Sequence, residues 1–299
     1  MVGAALIAAT ASAGSGPWVL GQGHHNVYVG TESQQYTTYR VDGDDRELGD
    51  GFSTFGAQAI IGFGLSSRIE AEARLPWYRT RALDTSDDLC VDSRCRASQG
   101  LGAFELGVKA LLLDEVYGPP VSLSAGLELR QGELTAPTRD RLTNLGEGTV
   151  DLGGAVCVGR AAGIGETGVY ALSAKLGYRY RLPVDEVDGT PVPGAEYHTQ
   201  VDALAGTSVV SGGPSLLGMW RPSGVGFDEV DKSDPDWLGS LSVSSVLAGG
   251  KLLVAGDSHY VTRALSAYRS VAASNNPSDL WMLGAGVGFH DAFRDRKRS

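Results

Sequence analysis

Apolar and polar residues alternate strictly in several long segments of the chain. In residues 121–130, the apolar positions are Val121, Leu123, Ala125, Leu127 and Leu129, and every position between them is small, polar or charged. Alternation with a period of two is typical of a β-strand whose faces meet different surroundings. Residues 68–78 show the same pattern, with Glu70, Glu72 and Arg74 on one face. Adjacent charges are hard to place in a packed core, so we expect this face to meet water.

The length of these segments favours a membrane barrel over a soluble sandwich. Ten residues that rise roughly 3.3 Å each and tilt by about 40° cover about 25 Å, the height of the lipid-facing band of bacterial outer-membrane barrels. Strands of soluble sandwiches are usually about five or six residues long. We therefore predict an all-β fold, an antiparallel transmembrane β-barrel of about twelve strands. The alternative is a secreted β-sandwich, which also alternates but turns its polar face to bulk water.

Clusters of Gly, Asp, Asn and Pro separate the alternating segments and define the predicted strands. The strands span residues 18–31, 53–65, 68–80, 101–113, 120–132, 148–158, 168–181, 196–208, 214–222, 237–248, 251–263 and 279–290. We predict tight turns at residues 64–68 and 248–251. We predict outer loops at residues 41–51, 83–99, 131–146, 184–195, 224–236 and 265–278. Short periplasmic turns and longer outer loops are usual in such barrels, so both termini are expected on the periplasmic side.

The two faces of the predicted strands carry different side chains. Aromatic residues near strand ends are expected to form girdles at the membrane interfaces: Trp18, Trp77, Tyr78, Tyr178, Tyr180, Trp237 and Trp281. The opposite face supplies the candidate pore-lining residues: Glu70, Glu72, Arg74, Glu105, Lys109, Glu128, Arg130, Asp151, Lys175, Arg179 and Asp202. Because both signs of charge occur, we expect many of these side chains to pair across neighbouring strands.

The N-terminus has the composition of a secretory signal. Residues 2–10 are mostly apolar, and Ala11, Ser12 and Ala13 form the small-x-small pattern of a signal-peptidase site. We predict a signal peptide over residues 1–13 and a single barrel domain over residues 14–299, with a basic tail at 291–299. The basic residues that usually precede such a segment are missing, which a start site further upstream would explain. An apolar N-terminal strand or helix is the alternative.

Charge and cysteine content narrow the function further. The formal net charge is -10 and the Lys and Arg residues are scattered, which argues against nucleic-acid binding. Cys90 and Cys95 lie in one polar segment and could close a disulfide in an oxidising compartment, with metal ligation as the weaker alternative. The five histidines have no metal-binding spacing and no Gly-x-Ser-x-Gly element occurs. We therefore predict no metal site, no cofactor and no enzymatic activity, with a membrane hydrolase as the alternative.

Three glycine-rich strand motifs resemble those of a known family. They lie at residues 62–78, which end in Pro76, Trp77 and Tyr78, at residues 100–110 and at residues 146–153. In these motifs the chain resembles the bacterial outer-membrane proteins described as transporters of the meta-pathway of phenol degradation. Ala103 stands where that family's pattern has an acidic residue, and a basic tail replaces a terminal aromatic residue. The resemblance implies a monomeric barrel in the bacterial outer membrane that takes up small apolar compounds.

These observations together predict the function. We expect an outer-membrane channel or transporter for small, apolar or aromatic solutes, in contact with outer-membrane lipid and lipopolysaccharide. A barrel of about twelve strands leaves a narrow passage that folded loops or residues 14–26 could block. The alternative is a closed structural or adhesive barrel without transport.

Overall fold

The computed structural model describes residues 16–41, 44–83, 97–131, 149–165, 168–183, 195–207, 209–220, 236–250, 259–272 and 279–291. Almost all of these residues lie in thirteen strands. The strands are β1 His25–Val41, β2 Asp44–Gly64, β3 Ile69–Ala82, β4 Ala97–Leu101, β5 Phe104–Leu113, β6 Ser122–Gln131, β7 Thr149–Ile164, β8 Gly168–Pro183, β9 Glu196–Thr207, β10 Val210–Trp220, β11 Asp236–Gly250, β12 His259–Ala272 and β13 Trp281–Asp291. The described residues contain no helix long and apolar enough to cross a membrane.

The strands form one closed antiparallel sheet. Each strand pairs with its neighbours in the sequence, and β1 pairs with both β2 and β13. The strands β4 and β5 both pair with β3, so they are two parts of one strand, interrupted at Gly102 and Ala103. The ring therefore has twelve positions, which confirms the predicted antiparallel barrel. Closure pairs the backbone groups of every strand on both sides, as a lipid environment requires.

The two faces of the sheet are reversed relative to a water-soluble protein. Large apolar side chains point outward, and Leu176 is 66% exposed and Leu127 75% exposed. Charged side chains point inward, where Asp151 and Glu196 are each only 2% exposed. An outward apolar surface of this extent is stable against lipid tails and unstable in water.

The two ends of the barrel differ in the length of their connections. At one end, named the turn end, residues 65–68 join β2 to β3, and residues 114–121, with a 3-10 turn at Glu115–Tyr117, join β5 to β6. The start of β1 and the end of β13 also lie there. At the opposite end, named the loop end, the longer sequence segments 83–96, 132–148, 184–195 and 221–235 separate successive strands. Outer-membrane barrels turn their short connections and termini to the periplasm.

The first hairpin differs from its prediction. Its first strand begins at His25 instead of residue 18, because residues 16–24 lie inside the barrel. The predicted loop at residues 41–51 is instead strand, since β1 continues to Val41 and β2 begins at Asp44. The acidic residues of this segment indicated a loop, but paired strands that project beyond the membrane band can be polar on both faces.

The region of β11 and β12 also differs from its prediction. The predicted tight turn at residues 248–251 is wrong, because β11 continues to Gly250. The predicted strand at residues 251–263 and loop at residues 265–278 are replaced by β12 over His259–Ala272. The alternation of β12 is hard to detect, because its outward face includes Arg269 while its inward face carries neutral Ser266, Tyr268 and Ser270.

Candidate pore and the segment inside it

The structure places all eleven candidate pore-lining residues on the inward face of the barrel. They lie on consecutive positions of the ring, on β3 and on β5 to β9. We name this inward surface of β3 and β5–β9 the ionic wall.

One row of the ionic wall alternates in charge from strand to strand. Arg74 lies opposite Glu105, which lies opposite Arg130 on the next strand. Arg130 in turn lies opposite Asp151, and Asp151 opposite Arg181. Glu105 is shared, because its two carboxylate oxygens lie 3.6 Å from Nε of Arg74 and 3.4 Å from Nε of Arg130. Cross-strand pairs of opposite charge favour this register over its alternatives.

Arg179 is the centre of a second group of ion pairs. Its guanidinium lies 2.7 Å from Glu128, 3.2 Å from Glu196 and 4.0 Å from Asp151, and its side chain is only 13% exposed. Arg181 also contacts Glu196, at 2.6 Å. Ions removed from water are stable only when their partners remain in place, so the four carboxylates and four arginines of the two groups depend on one another.

Sequence reasoning missed Arg181 and Glu196, although both are buried in this network. Arg181 continues the inward positions of β8 two residues beyond Arg179, and Glu196 is the first residue of β9. Both lie at predicted strand ends, where a polar residue is equally typical of a loop.

The inward surface of β10 to β13, named the hydroxyl wall, has a different chemistry. Its described side chains are mostly neutral and small: Ser211, Ser215, Ser240, Ser242, Ser244, Thr262, Ser266 and Gly284, Gly286 and Gly288. Hydroxyls pair across the strands, with Ser211 and Ser244 3.0 Å apart and Thr262 2.9 Å from His290. The inward positions of these strands also include larger side chains: Leu217, Met219, Leu238, Tyr268, Met282 and His290. Asp236, at the loop end of β11, is the one acidic residue among the described inward residues of the hydroxyl wall.

Residues 16–24, named the inner segment, enter the barrel at the turn end. Beside β2, the backbone N–H of Gly23 donates to the carbonyl of Gly64 at 2.8 Å, and the N–H of Gly64 donates to the carbonyl of His24 at 2.8 Å. Further along the segment, the N–H of Leu20 donates to the Glu70 carboxylate of β3 at 2.7 Å. Backbone and side-chain bonds thus fix this half of the segment to β2 and β3.

The other half of the inner segment contacts the far side of the ring. The Trp18 indole N–H donates to Glu115 at 3.2 Å, and its ring packs against Ala171 of β8 and Leu204 of β9. Pro17 is almost fully buried, close to Gly159 of β7. Since β2 and β8 lie on opposite sides of a twelve-strand ring, the inner segment spans the bore near the turn end.

The placement of the inner segment corrects part of the predicted aromatic girdle. Trp18 lies inside the barrel, and Tyr78 also points inward, beside Gly56 and Gly102. The other five predicted aromatic residues lie toward the loop end, whereas the turn end has outward Phe63 and Phe289. At the loop end, Tyr178, Tyr197 and Trp220 contact one another in series, with ring centroids 5.0 and 5.1 Å apart. Amphipathic rings at this height are typical of a membrane interface.

Several predicted features lie outside the described residues. These are the signal peptide at residues 1–13, the disulfide candidates Cys90 and Cys95, and residues 292–299 of the basic tail. Cys157 is described, and it is free and buried on the inward face of β7. Within the described part of the chain, no group of three or more His, Cys, Asp or Glu side chains is placed to hold a metal ion.

Comparison with known proteins identifies the fold. No protein family and no curated protein matches the sequence. Among solved structures, the chain is similar to an outer membrane channel from Pseudomonas putida F1, with 14% sequence identity, a TM-score of 0.65, and coverage of 91% of this chain and 97% of that one. The KdgM porin (8% identity, TM-score 0.43, 89% and 99% coverage) and the NanC porin (6%, 0.48, 88% and 98%) are less similar and support no further argument. The fold and the outward apolar band are those of a bacterial outer-membrane protein. This agrees with the predicted location in the bacterial outer membrane.

Proposed function

We propose that the chain forms an outer-membrane channel for small solutes. The observation that carries this proposal is the polar lining of the bore, where charged and hydroxyl side chains replace the apolar residues of a packed core. A barrel of twelve strands is wide enough for a narrow passage but is easily restricted by chain inside it.

The passage is proposed to run beside the hydroxyl wall. The hydrogen bonds and packing of the inner segment involve β2, β3, β5 and β7 to β9, and Lys109 adds one more contact by donating to the carbonyl of Gly16 at 3.3 Å. The segment therefore crosses the bore from β2 to β7–β9, and its described contacts do not include β10 to β13. Solutes would meet the neutral hydroxyls opposite, along β10 to β13.

For the solute class we propose small aromatic compounds that carry a hydroxyl group. The resemblance to the phenol-degradation family is the reason for an aromatic solute. The hydroxyl wall is the reason for a hydroxyl group on the solute. The hydroxyls of serine and threonine both donate and accept hydrogen bonds, so they can replace the water around a solute hydroxyl.

Solute flux in liposomes tests this proposal. We expect wild-type protein to pass 4-hydroxybenzoate, a hydroxylated aromatic anion that crosses protein-free bilayers slowly. We expect Trp18→Ala to raise ionic conductance several-fold, because the indole ring and its bond to Glu115 hold the inner segment across the bore. Trp77→Ala is the matched control, since Trp77 lies on the outward face of β3. Conductance that rises equally in both variants would contradict the role of the inner segment.

The alternative function is a closed structural or adhesive barrel. The anchoring of the inner segment on both sides of the bore favours it. This alternative predicts no flux beyond that of protein-free vesicles, both for the wild-type protein and after removal of residues 16–23. That result would overturn the channel proposal.

A further inference from the structure

An apolar groove crosses the outer surface of the barrel from β9 to β13. Its volume is about 610 Å³. Small outward residues, Ala203, Gly239 and Ala267, form its floor, and the larger Leu216 and Leu241 form its sides. The groove thus has room for a flexible hydrocarbon chain on the face that meets lipid.

The backbone beside this groove is irregular. Pairing between β9 and β10 is regular up to Gly212 opposite Ala205 and resumes at Ser215 opposite Asp202. Pro214, which lies between these pairs, has no N–H to donate and lines the groove. The depression is therefore built into the sheet and does not depend on side-chain rotamers alone.

A cation lies at the end of the groove nearest the loop end. Arg269 points outward from β12, three residues before its last residue, and its guanidinium lies 4.8 Å from the centre of the Trp281 ring. In the part of the chain that the structure describes, no carboxylate forms a salt bridge with Arg269. Stacking on the indole fixes the guanidinium while its N–H groups stay able to bind an anion.

An outward cation above an apolar groove is complementary to a lipid with an anionic headgroup. The loop end meets the outer leaflet, whose characteristic lipid is a phosphorylated glycolipid. We propose that the groove binds one such glycolipid, with a phosphate on Arg269 and one acyl chain between Leu216 and Leu241. Planar guanidinium groups bind phosphate through two parallel hydrogen bonds. This site lies outside the bore, so it does not depend on whether the bore conducts.

The chain offers a matched arginine for comparison. Arg79 also points outward, also three residues before the last residue of a strand that runs toward the loop end. It is not among the residues that line the groove. A general attraction of arginine to lipid phosphates would involve both residues equally, whereas the proposed site involves Arg269 alone.

Native mass spectrometry of the full-length protein in detergent, titrated with lipid A or with phosphatidylglycerol, tests the proposal. We expect one tightly bound lipid A, binding about tenfold weaker for Arg269→Gln, a loss of about one charge-assisted phosphate contact, and unchanged binding for Arg79→Gln. Ala267→Leu, which fills the floor of the groove, should weaken binding while leaving Arg269 in place. Slower gel migration after boiling would show that each variant is folded.

Three results would overturn the proposal. Equal binding by the wild-type protein, Arg269→Gln and Arg79→Gln would mean that lipid A binds nonspecifically. Equal loss in both arginine variants would mean that charge alone attracts it. Phosphatidylglycerol bound as tightly as lipid A would exclude a glycolipid site. If Ala267→Leu fails to fold, the comparison of Arg269→Gln with Arg79→Gln still tests whether lipid A binds specifically at Arg269.

Discussion

The ionic wall and the hydroxyl wall satisfy their inward polar groups with different interactions. Both are inward faces of one sheet and both must satisfy polar groups away from bulk water. On the ionic wall, Arg179 forms ion pairs with three carboxylates, so each charge depends on residues of several strands. On the hydroxyl wall, Ser211 and Ser244 form a local pair between adjacent strands. A single substitution on the ionic wall is therefore expected to destabilise several ion pairs at once. A single substitution on the hydroxyl wall is expected to remove only local hydrogen bonds.

This difference also explains where the inner segment lies. The backbone N–H of Leu20 donates to Glu70 on β3, and the indole N–H of Trp18 donates to Glu115 in the turn after β5, so both acceptors are carboxylates. Charged acceptors form stronger hydrogen bonds than neutral ones, so the ionic side of the ring offers the better anchors.

The most severe test of this comparison is Arg179→Ala. The change leaves Glu128, Asp151 and Glu196 with a missing partner in a buried site, and removing one member of a buried ion pair typically costs about 3 to 5 kcal/mol. We expect the free energy of unfolding in urea, measured on protein folded in vesicles, to fall by that amount. A loss below about 1 kcal/mol, the value of an exposed pair, would show that the ionic wall does not act as a unit.

An intermediate loss of stability is expected from a substitution between β12 and β13, at the loop end. The Asp279 carboxylate, between β12 and β13, accepts hydrogen bonds from the backbone N–H groups of Thr37 and Thr38 on β1 at about 3 Å and from the Thr37 hydroxyl. Asp279→Asn should lower the free energy of unfolding by about 1 to 2 kcal/mol, because a neutral amide accepts these bonds less strongly.

The effect of Asp279 should also depend on pH. Partial burial would raise the pKa of Asp279, but the hydrogen bonds from Thr37 and Thr38 outweigh it and hold the pKa below its ordinary value of 3.8. The stabilisation is therefore complete above that value and is lost as the pH falls through the lower folded pKa. The difference between wild type and Asp279→Asn should stay constant from neutral pH down to about 3.8 and shrink as the pH falls further. A difference that also stays constant at lower pH would mean that the contact does not depend on the charge.

The smallest effect is expected for Ser244→Ala on the hydroxyl wall. The change removes a hydroxyl that lies 3.0 Å from the Ser211 hydroxyl and donates to the Ser211 backbone carbonyl at 3.3 Å, and a neutral hydrogen bond contributes about 0.5 to 1.5 kcal/mol. Urea unfolding of this variant beside Arg179→Ala measures the contrast directly. Losses of similar size in the two variants would remove the distinction between the walls.

The sequence predicted the parts of the barrel where alternation is strong. In β5, β6 and β8, apolar and charged positions alternate, so both faces were predicted. It failed for the inner segment, because Trp18 and Leu20 read as the start of a strand, and only tertiary contacts with Ala171 and Leu204 turn Trp18 inward. It also failed for β12, where the contrast between the two faces is weak. The proposed glycolipid groove combines residues of five strands, and no local pattern predicts such a surface.

The three inward glycines of β13, Gly284, Gly286 and Gly288, leave room for neighbouring side chains to lie against the strand. A methyl group at Gly286 would overlap the Tyr28 hydroxyl, and one at Gly288 would lie 2.5 Å from Nε2 of His290. With glycine, these two side chains lie flat against β13 and do not project into the lumen. A single alanine would move a neighbouring ring toward the axis without adding any polar or charged group. The open cross-section of the bore is therefore set partly by the absence of side chains at these positions of β13.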